Sequence, residues 1–418
     1  MKIAVIGSGI SGLTAVHLLQ GDHEVHLYEA ASRLGGHTNT IDVTVDGATF
    51  PIDTGFLVYA PSTYPNFIRL LDELGVATTT SDMSFSVRDD ARSLEWKGAT
   101  LRGVFAQPRN LLRPRFLKML VEIVRLNRSL NALVRDPLAP AESLGSFVER
   151  KGFSRELLEW YLVPLGASIW SSTPESFLEM PVTMLARFLE RHGLLQVADH
   201  PEWRTIVGGA RTYVEAITAP LAEAGRIHLN SPVSGITRGP DGVTFSVAGD
   251  PTPHRADHVI VATHADQALA ALAAPTAAER EVLGAIRSSR NVITVHRDAS
   301  VMPRARHAWA SWNYHHGVGA AGGVTMTYYL NTLQPLPTNA PIFESLNRSG
   351  DIDPELVLSE FVFHHPILDG PAVAAQQRHG EISGVDGISF CGAYWTHGFH
   401  EDGATSGVRV ARALGATW

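Results

Sequence analysis

Near the start of the chain, Gly7-Ser8-Gly9-Ile10-Ser11-Gly12 stands between an apolar run from Lys2 to Ile6 and an apolar stretch from Leu13 to Leu19. That order predicts a buried strand, a tight glycine turn and a helix. A second strand, Glu24 to Tyr28, ends on the acid Glu29. Each part has a physical task. Gly7 allows the turn, Gly9 lets backbone approach a pyrophosphate, and Gly12 lets helix and strand pack closely. The helix start at Ile10 and Ser11 offers unpaired amides and the positive end of a dipole to phosphates. Glu29, at the expected spacing of about 20 residues, suits a ribose 2′-OH. Glycine turns after strands are common. Strand, spacing, helix and terminal acid together point to a bound dinucleotide.

The bulk numbers narrow the remaining choices. The chain has 418 residues, 44% hydrophobic and 18% charged, which suits two domains or one large discontinuous unit. A net charge of −8 argues against general nucleic-acid binding. The single cysteine, Cys391, excludes an internal disulfide and a thiolate metal cluster, and suits a reducing, cytoplasmic setting. No apolar run reaches the roughly 18 residues a membrane span needs. The glycine turn accounts for the apolar residues 3 to 19 better than a secretory leader does.

Further along, Thr40–Val45 and Thr49–Ile52 form a strand pair joined at Asp46-Gly47, a hairpin signal. Ser62 to Leu74 has helical spacing, with Phe67, Leu70, Leu71 and Leu74 on one face. Residues 104–200 read as mostly helical, with a linker at Asp136–Ala141. Strand character returns at Ile227–Leu229, Val233–Thr237, Val243–Val247 and His258–Ala262. A helix from about Ala265 to Ile286 follows, then strands at Val292–His296, Trp309–Trp312 and Val324–Leu330. A buried strand, Gly387–Cys391, and a helix from about Ala404 to Leu414 close the chain. The fold class is α/β. The dinucleotide pattern occupies 1–80, 201–265 and 385–418. A second domain occupies 81–200 and 266–384, with a helical part at about 104–200.

Glu29-Ala30-Ala31-Ser32-Arg33-Leu34-Gly35-Gly36 resembles the ExxxRxGG extension of the flavin amine oxidase and phytoene desaturase superfamily. Further matches follow in order: Trp203 to Gly209, Ser231-Pro232-Val233, Val259 to Thr263, and Phe390-Cys391-Gly392 through Glu401 to Gly407. The resemblance implies a Rossmann-like FAD-binding domain, with a parallel sheet and helices, plus an inserted mixed sheet-and-helix substrate domain. It implies noncovalent FAD held by Gly7, Gly9, Ile10, Ser11, Gly12, Glu29, Ala30, Arg33, Gly35, Gly36, His37 and Thr38. Asp53, Thr54, Gly55, Val233, Ala262 and Thr263 join them, as do Gly392, Glu401, Asp402, Gly403, Ala404 and Thr405. A Gly-rich start to the last helix, at Gly403, would aim amides at the flavin edge that becomes negative on reduction.

Asp53 to Tyr59, Thr63 to Asn66 and Ser81 to Val87 resemble the flavoprotein domain fused ahead of plant cyclopropane fatty acid synthases, and its bacterial stand-alone relatives. That resemblance implies work on fatty acyl chains, methyl-branched or cyclopropane ones included, alongside a lipid methyltransferase. The expected chemistry is hydride transfer from a C–H carbon to flavin N5, as dehydrogenation or isomerisation. Two alternatives stay open: an amine oxidase on a small amine, and a flavoprotein that steadies a methyltransferase without turnover. Amine-oxidising members use a lysine near flavin N5, yet this chain has only Lys2, Lys97, Lys118 and Lys151. Arg290 and His296 stand where the lysine belongs.

The second half is rich in aromatics and histidines, which either line a substrate channel or form core. His400, Tyr394 and Trp395 are the expected catalytic group, because their motif places them beside the flavin. His397, His400 and Glu401 are spaced as a metal site would be, but no HExxH or CxxC accompanies them, and no metal is expected. Residues 109–135 hold seven Arg or Lys against Glu122, interleaved with apolar residues. This basic amphipathic stretch either lies on an anionic membrane or packs on its own domain.

Overall fold

The computed structural model describes residues 1–98, 100–136, 138, 142–170, 173–196, 201–318 and 325–418. The expected linker at Asp136–Ala141 lies largely outside these residues, as does Val324 of the expected strand there.

A five-stranded parallel sheet carries the strands Ile388–Phe390, His258–Val261, Lys2–Ile6, Glu24–Tyr28 and Ile227–His228, in that order. Ile3, Ala4, Val5 and Ile6 are buried, which is why this central strand reads as an unbroken apolar run. The helix Ile10–Leu19 follows at once, with Gly9 as its N-cap. One face of the sheet packs on that helix and on Arg211–Glu223. The other packs on a three-stranded antiparallel sheet and the helices Ala265–Ala271 and Ala277–Gly284. These two short helices replace the single one expected over 265–286. The chain breaks between them at Pro275, and Thr276 caps the second.

The first helix also packs on the last, His400–Ala413, across two glycines. A Cβ on Gly407 would lie 2.4 Å from Ser11 O, and one on Gly403 2.5 Å from Ile10 Cγ2. Both backbones therefore need the missing side chain. Gly407→Val is expected to lower unfolding stability by about 1–3 kcal/mol through overpacking. Gly21→Ala, where a Cβ meets nothing within 4 Å, serves as the control in the same denaturant titration.

A seven-stranded mixed sheet forms the second body, in the order Val357–Pro366, Ser288–His296, Phe343–Leu346, Met326–Tyr329, Trp312–His316, Phe85–Asp89, Leu94–Lys97. The strand expected at Trp309–Trp312 begins only at Trp312, because Trp309 ends a 3-10 turn. Helices between 101 and 191 stack beside this sheet and share its core. The hairpin at Asp46-Gly47 is present, with both residues at positive φ (52° and 81°), as a two-residue turn requires.

Candidate active site

One cleft of about 720 Å³ runs between the two bodies. At one end it touches Glu29, Ala30 and Val233. It then passes Gly7, Gly9, Gly35 and Gly36, and reaches Gly392 and His400. The amides of Ile10, Ser11 and Gly12 precede the first bond of their helix, Leu13 N–H to Gly9 O at 2.9 Å. Of these, Ile10 and Ser11 line the cleft, so their amides offer it an anion site. Gly36 sits at φ +59°, and a Cβ on it would be 3.2 Å from Gly9 Cα, so the two glycine turns touch. A Cβ on Gly9 itself meets no protein atom within 4 Å. The space it would fill belongs to the cleft, where a diphosphate fits.

Glu29 is held towards this turn. Its carboxylate accepts from Ser8 N (3.0 Å), Ser8 Oγ (2.5 Å) and Ala31 N (2.9 Å). Ile10, Ser11, His37, Thr38, Thr54, Gly55, Ala262 and Thr263 also line the cleft. His37 is half-buried among His264, Phe363 and His365, and its Nε2 has no partner among the described residues. Burial, with the neighbouring imidazoles, holds it well below the usual histidine range. Cys391 is fully buried and its thiol is pushed up to about 12, so it offers no thiolate to tether a flavin.

Several expected cofactor residues serve the fold instead. Arg33 donates to Gly36 O (2.9 Å) and braces the turn from behind, outside the cleft. Gly12 packs on Gly7 O, where a Cβ would lie 2.1 Å away. Asp53 caps the helix at Arg211: it accepts from Ala210 N (2.9 and 3.0 Å) and Thr40 Oγ1 (2.5 Å). Burial pushes it up to about 6. The last helix starts at His400, not Ala404, with Phe399 as N-cap. Gly403 N therefore already donates to Phe399 O (3.0 Å), and the free amides belong to His400, Glu401 and Asp402. Glu401 turns away and caps the helix Pro65–Leu74 through Asn66 N (3.1 Å) and Phe67 N (3.0 Å). Asp402 accepts from Phe399 N, while Thr405 bonds to Glu401 and Asn66. Ala404 is core.

The expected catalytic group divides as well. His400 lines the cleft, stacked on Phe56 at 3.7 Å, with Nε2 2.8 Å from Tyr213 Oη. Burial lowers it to about 3, so it is neutral at physiological pH and a poor proton carrier. Tyr394 lines the cleft, its ring folded over Gly392. Trp395 faces the other way, edge-on to His379 at 4.4 Å. His397, His400 and Glu401 diverge, and among the described residues no three ligating groups converge on a metal site.

Beyond Gly392 the cleft is walled by the seven-stranded sheet. Pleating puts Phe363, Ile293, Leu346, Tyr328, Trp312 and Phe85 on its cleft face. Helices supply the opposite wall, with Leu165, Ile169, Trp170 and Phe188. Arg290 is exposed, and His296 is bonded to Ser345 Oγ (2.8 Å), so neither reaches the cleft. No lysine is among the described lining residues.

Two lining carboxyls were missed from sequence, the exposed Asp266 and the buried Glu344. Glu344 pairs with Tyr328 and Val295 in the sheet and faces the cleft. It is buried, and its Oε2 has no hydrogen-bond partner among the described residues. Burial, then repulsion from Asp53, pushes it well above the usual carboxylate range. An acid inside Phe-Glu-Ser-Leu, a strand buried at every position, was the available signal.

Residues 10–296 match the model of the flavin containing amine oxidoreductases. An L-amino-acid oxidase from Siganus canaliculatus is 26% identical over 284 residues, which is 64% of this chain and 50% of that protein. The chain thus spans about half the length of this curated relative. Cyclohexylamine oxidase from Brevibacterium oxydans IH-35A superposes with a TM-score of 0.72 at 17% identity, covering 99% and 98% of the two chains. A CLA-producing fatty acid isomerase from P. acnes gives 0.68 at 14%, covering 98% of each. At these identities the likeness is one of fold. The chain belongs to the flavin-containing amine oxidoreductase family.

Proposed function

We propose that the protein removes hydrogen from a C–H carbon of a fatty acyl or similarly apolar lipid chain, as a dehydrogenation or a double-bond isomerisation. The observation that carries this is the substrate half of the cleft. It is aromatic and aliphatic on both walls apart from Ser84, Ser168, His192 and the single carboxyl Glu344, with no lysine among its described residues. Such a lining matches the hydrocarbon of a long chain and gives a cationic amine little in exchange for its hydration. The fold shared with a fatty acid isomerase is consistent with that.

When bound, FAD supplies the two-electron acceptor. The protein's own residues do the rest. The two walls exclude water and hold the chain straight along the sheet. Glu344, buried without a cation beside it among the described residues, takes the proton that leaves a neighbouring carbon, or returns it in an isomerisation. Neutral His400 and Tyr213 hold the start of the last helix in place.

Anaerobic addition of oleic or linoleic acid, free or esterified in phosphatidylglycerol, is expected to bleach the flavin absorbance or to yield a product with a moved double bond. Small primary amines are expected to do neither. Bleaching by an amine and by none of the lipids would overturn the assignment.

A further inference from the structure

We propose that the helix Pro114–Arg135, with the turn Pro108–Leu112 before it, is a docking surface for an anionic lipid bilayer. The helix has two unlike faces. Phe116, Met119, Leu126 and Leu130 are buried and pack towards the helix Val182–Arg191, which presents Phe188 and His192 to the cleft. The opposite face stays open and is apolar along its middle. Leu117, Val121 and Val124, spaced i, i+4 and i+7, are 38%, 71% and 38% exposed. Leu111 and Leu112, just before the helix, are 52% and 86% exposed.

Single exposed apolar side chains need no explanation, but these are concentrated. Of thirteen exposed large hydrophobics among the described residues, seven fall between Leu101 and Leu138. Charge singles out the same segment. Residues 109–135 carry seven Arg or Lys in a chain of net charge −8. Their one acid, Glu122, is buried, accepts from Ser154 and lies 3.9 Å from Lys118 Nζ. Arg128 and Arg135 continue the line of Leu117, Val121 and Val124, and Lys118 and Arg125 flank it.

An apolar stripe edged only by cations matches one kind of partner in both respects. Anionic headgroups meet the cations while the stripe enters the acyl boundary. Arg115 and Lys118 already meet Glu156 and Glu122, but an apolar protein surface would leave Arg125, Arg128 and Arg135 without counter-charges, and a soluble polyanion would leave the apolar stripe in water. This surface stands whether or not the substrate is a lipid. If it is one, a single helix layer separates the bilayer from the wall of the cleft.

The test is co-sedimentation of the FAD-loaded full chain with vesicles of phosphatidylcholine, alone or mixed with phosphatidylglycerol. Binding is expected only with phosphatidylglycerol, and at least about tenfold weaker at 0.5 M than at 0.1 M salt. Leu112→Glu combined with Val121→Glu is expected to lose binding at least tenfold, with melting temperature and flavin spectrum unchanged. Arg128→Glu with Arg135→Glu, both exposed, supplies a second, electrostatic variant that should lose binding as strongly. Equal binding to neutral and anionic vesicles, or retention by both double variants, overturns the proposal. So does a wild-type dimer that ignores vesicles and becomes a monomer in Val121→Glu, because the face would then join two copies of this chain.

Discussion

Gly9→Val is expected to give a folded protein that holds FAD far more weakly. Gly9 has φ −66° and ψ 171°, extended backbone that valine adopts without strain. Its added side chain would meet no protein atom within 4 Å at Cβ. The N-cap position favours glycine over an aliphatic residue by no more than about 1 kcal/mol, so the fold should persist. The side chain does occupy the space where the amides of Ile10 and Ser11 face the cleft, and a diphosphate can no longer approach them. Overpacking of about 1–3 kcal/mol corresponds to roughly 5- to 150-fold weaker FAD binding. Gly12→Val is the contrasting case, since its Cβ would lie 2.1 Å from Gly7 O and the fold itself must yield. Circular dichroism and flavin absorbance on the same samples separate the two glycines. A Gly9→Val protein that binds FAD as tightly as the parent would show that the diphosphate lies elsewhere.

That contrast also shows how far the sequence could be read. The first glycine turn was legible because its task is local: strand, turn, helix and acid follow within thirty residues, and each has one physical reason. The discontinuous parallel sheet was legible for a similar cause, since Val259 to Val261 is an apolar run, and Ile388-Ser389-Phe390 a mostly apolar one, too short for helices. The last helix was misread because capping can begin at a residue with no capping side chain. Phe399 holds that place through its backbone and Asp402, and the glycines that looked like an entrance turn serve helix packing instead. Asp53 and Glu401 were misassigned for a related reason. A carboxylate that caps a distant helix carries the same sequence signature as one that touches a ligand, and only the fold tells them apart. The substrate wall was least legible. Its residues lie on six strands drawn from both halves of the chain, and register alone brings Phe85 beside Trp312 and Tyr328 beside Glu344.

Glu344 is where the geometry makes its sharpest demand. A buried carboxyl with an unpartnered oxygen and no cation beside it costs stability, on the order of 1–3 kcal/mol. Glu344→Leu is therefore expected to raise the melting temperature while lowering kcat, the pairing expected of a residue kept for its chemistry rather than its packing. Glu344→Gln keeps the shape and removes the proton site, and kcat is expected to fall roughly 10²- to 10⁴-fold with little change in KM. The pH profile carries the sign. A base acts in its ionised form, so kcat should rise with pH. Because burial raises this group, the midpoint should lie above 4.5, the ordinary carboxylate value. Glu344→Gln should lack that limb. A counter-ion for a protonated amine would behave differently. Glu344→Gln would then raise KM for the amine, leave kcat for the bound molecule largely intact, and show no rising limb in kcat. An unchanged kcat on a lipid substrate, with the limb still present in Glu344→Gln, would remove the carboxyl from the reaction and leave the apolar walls as the site's whole contribution beside the cofactor.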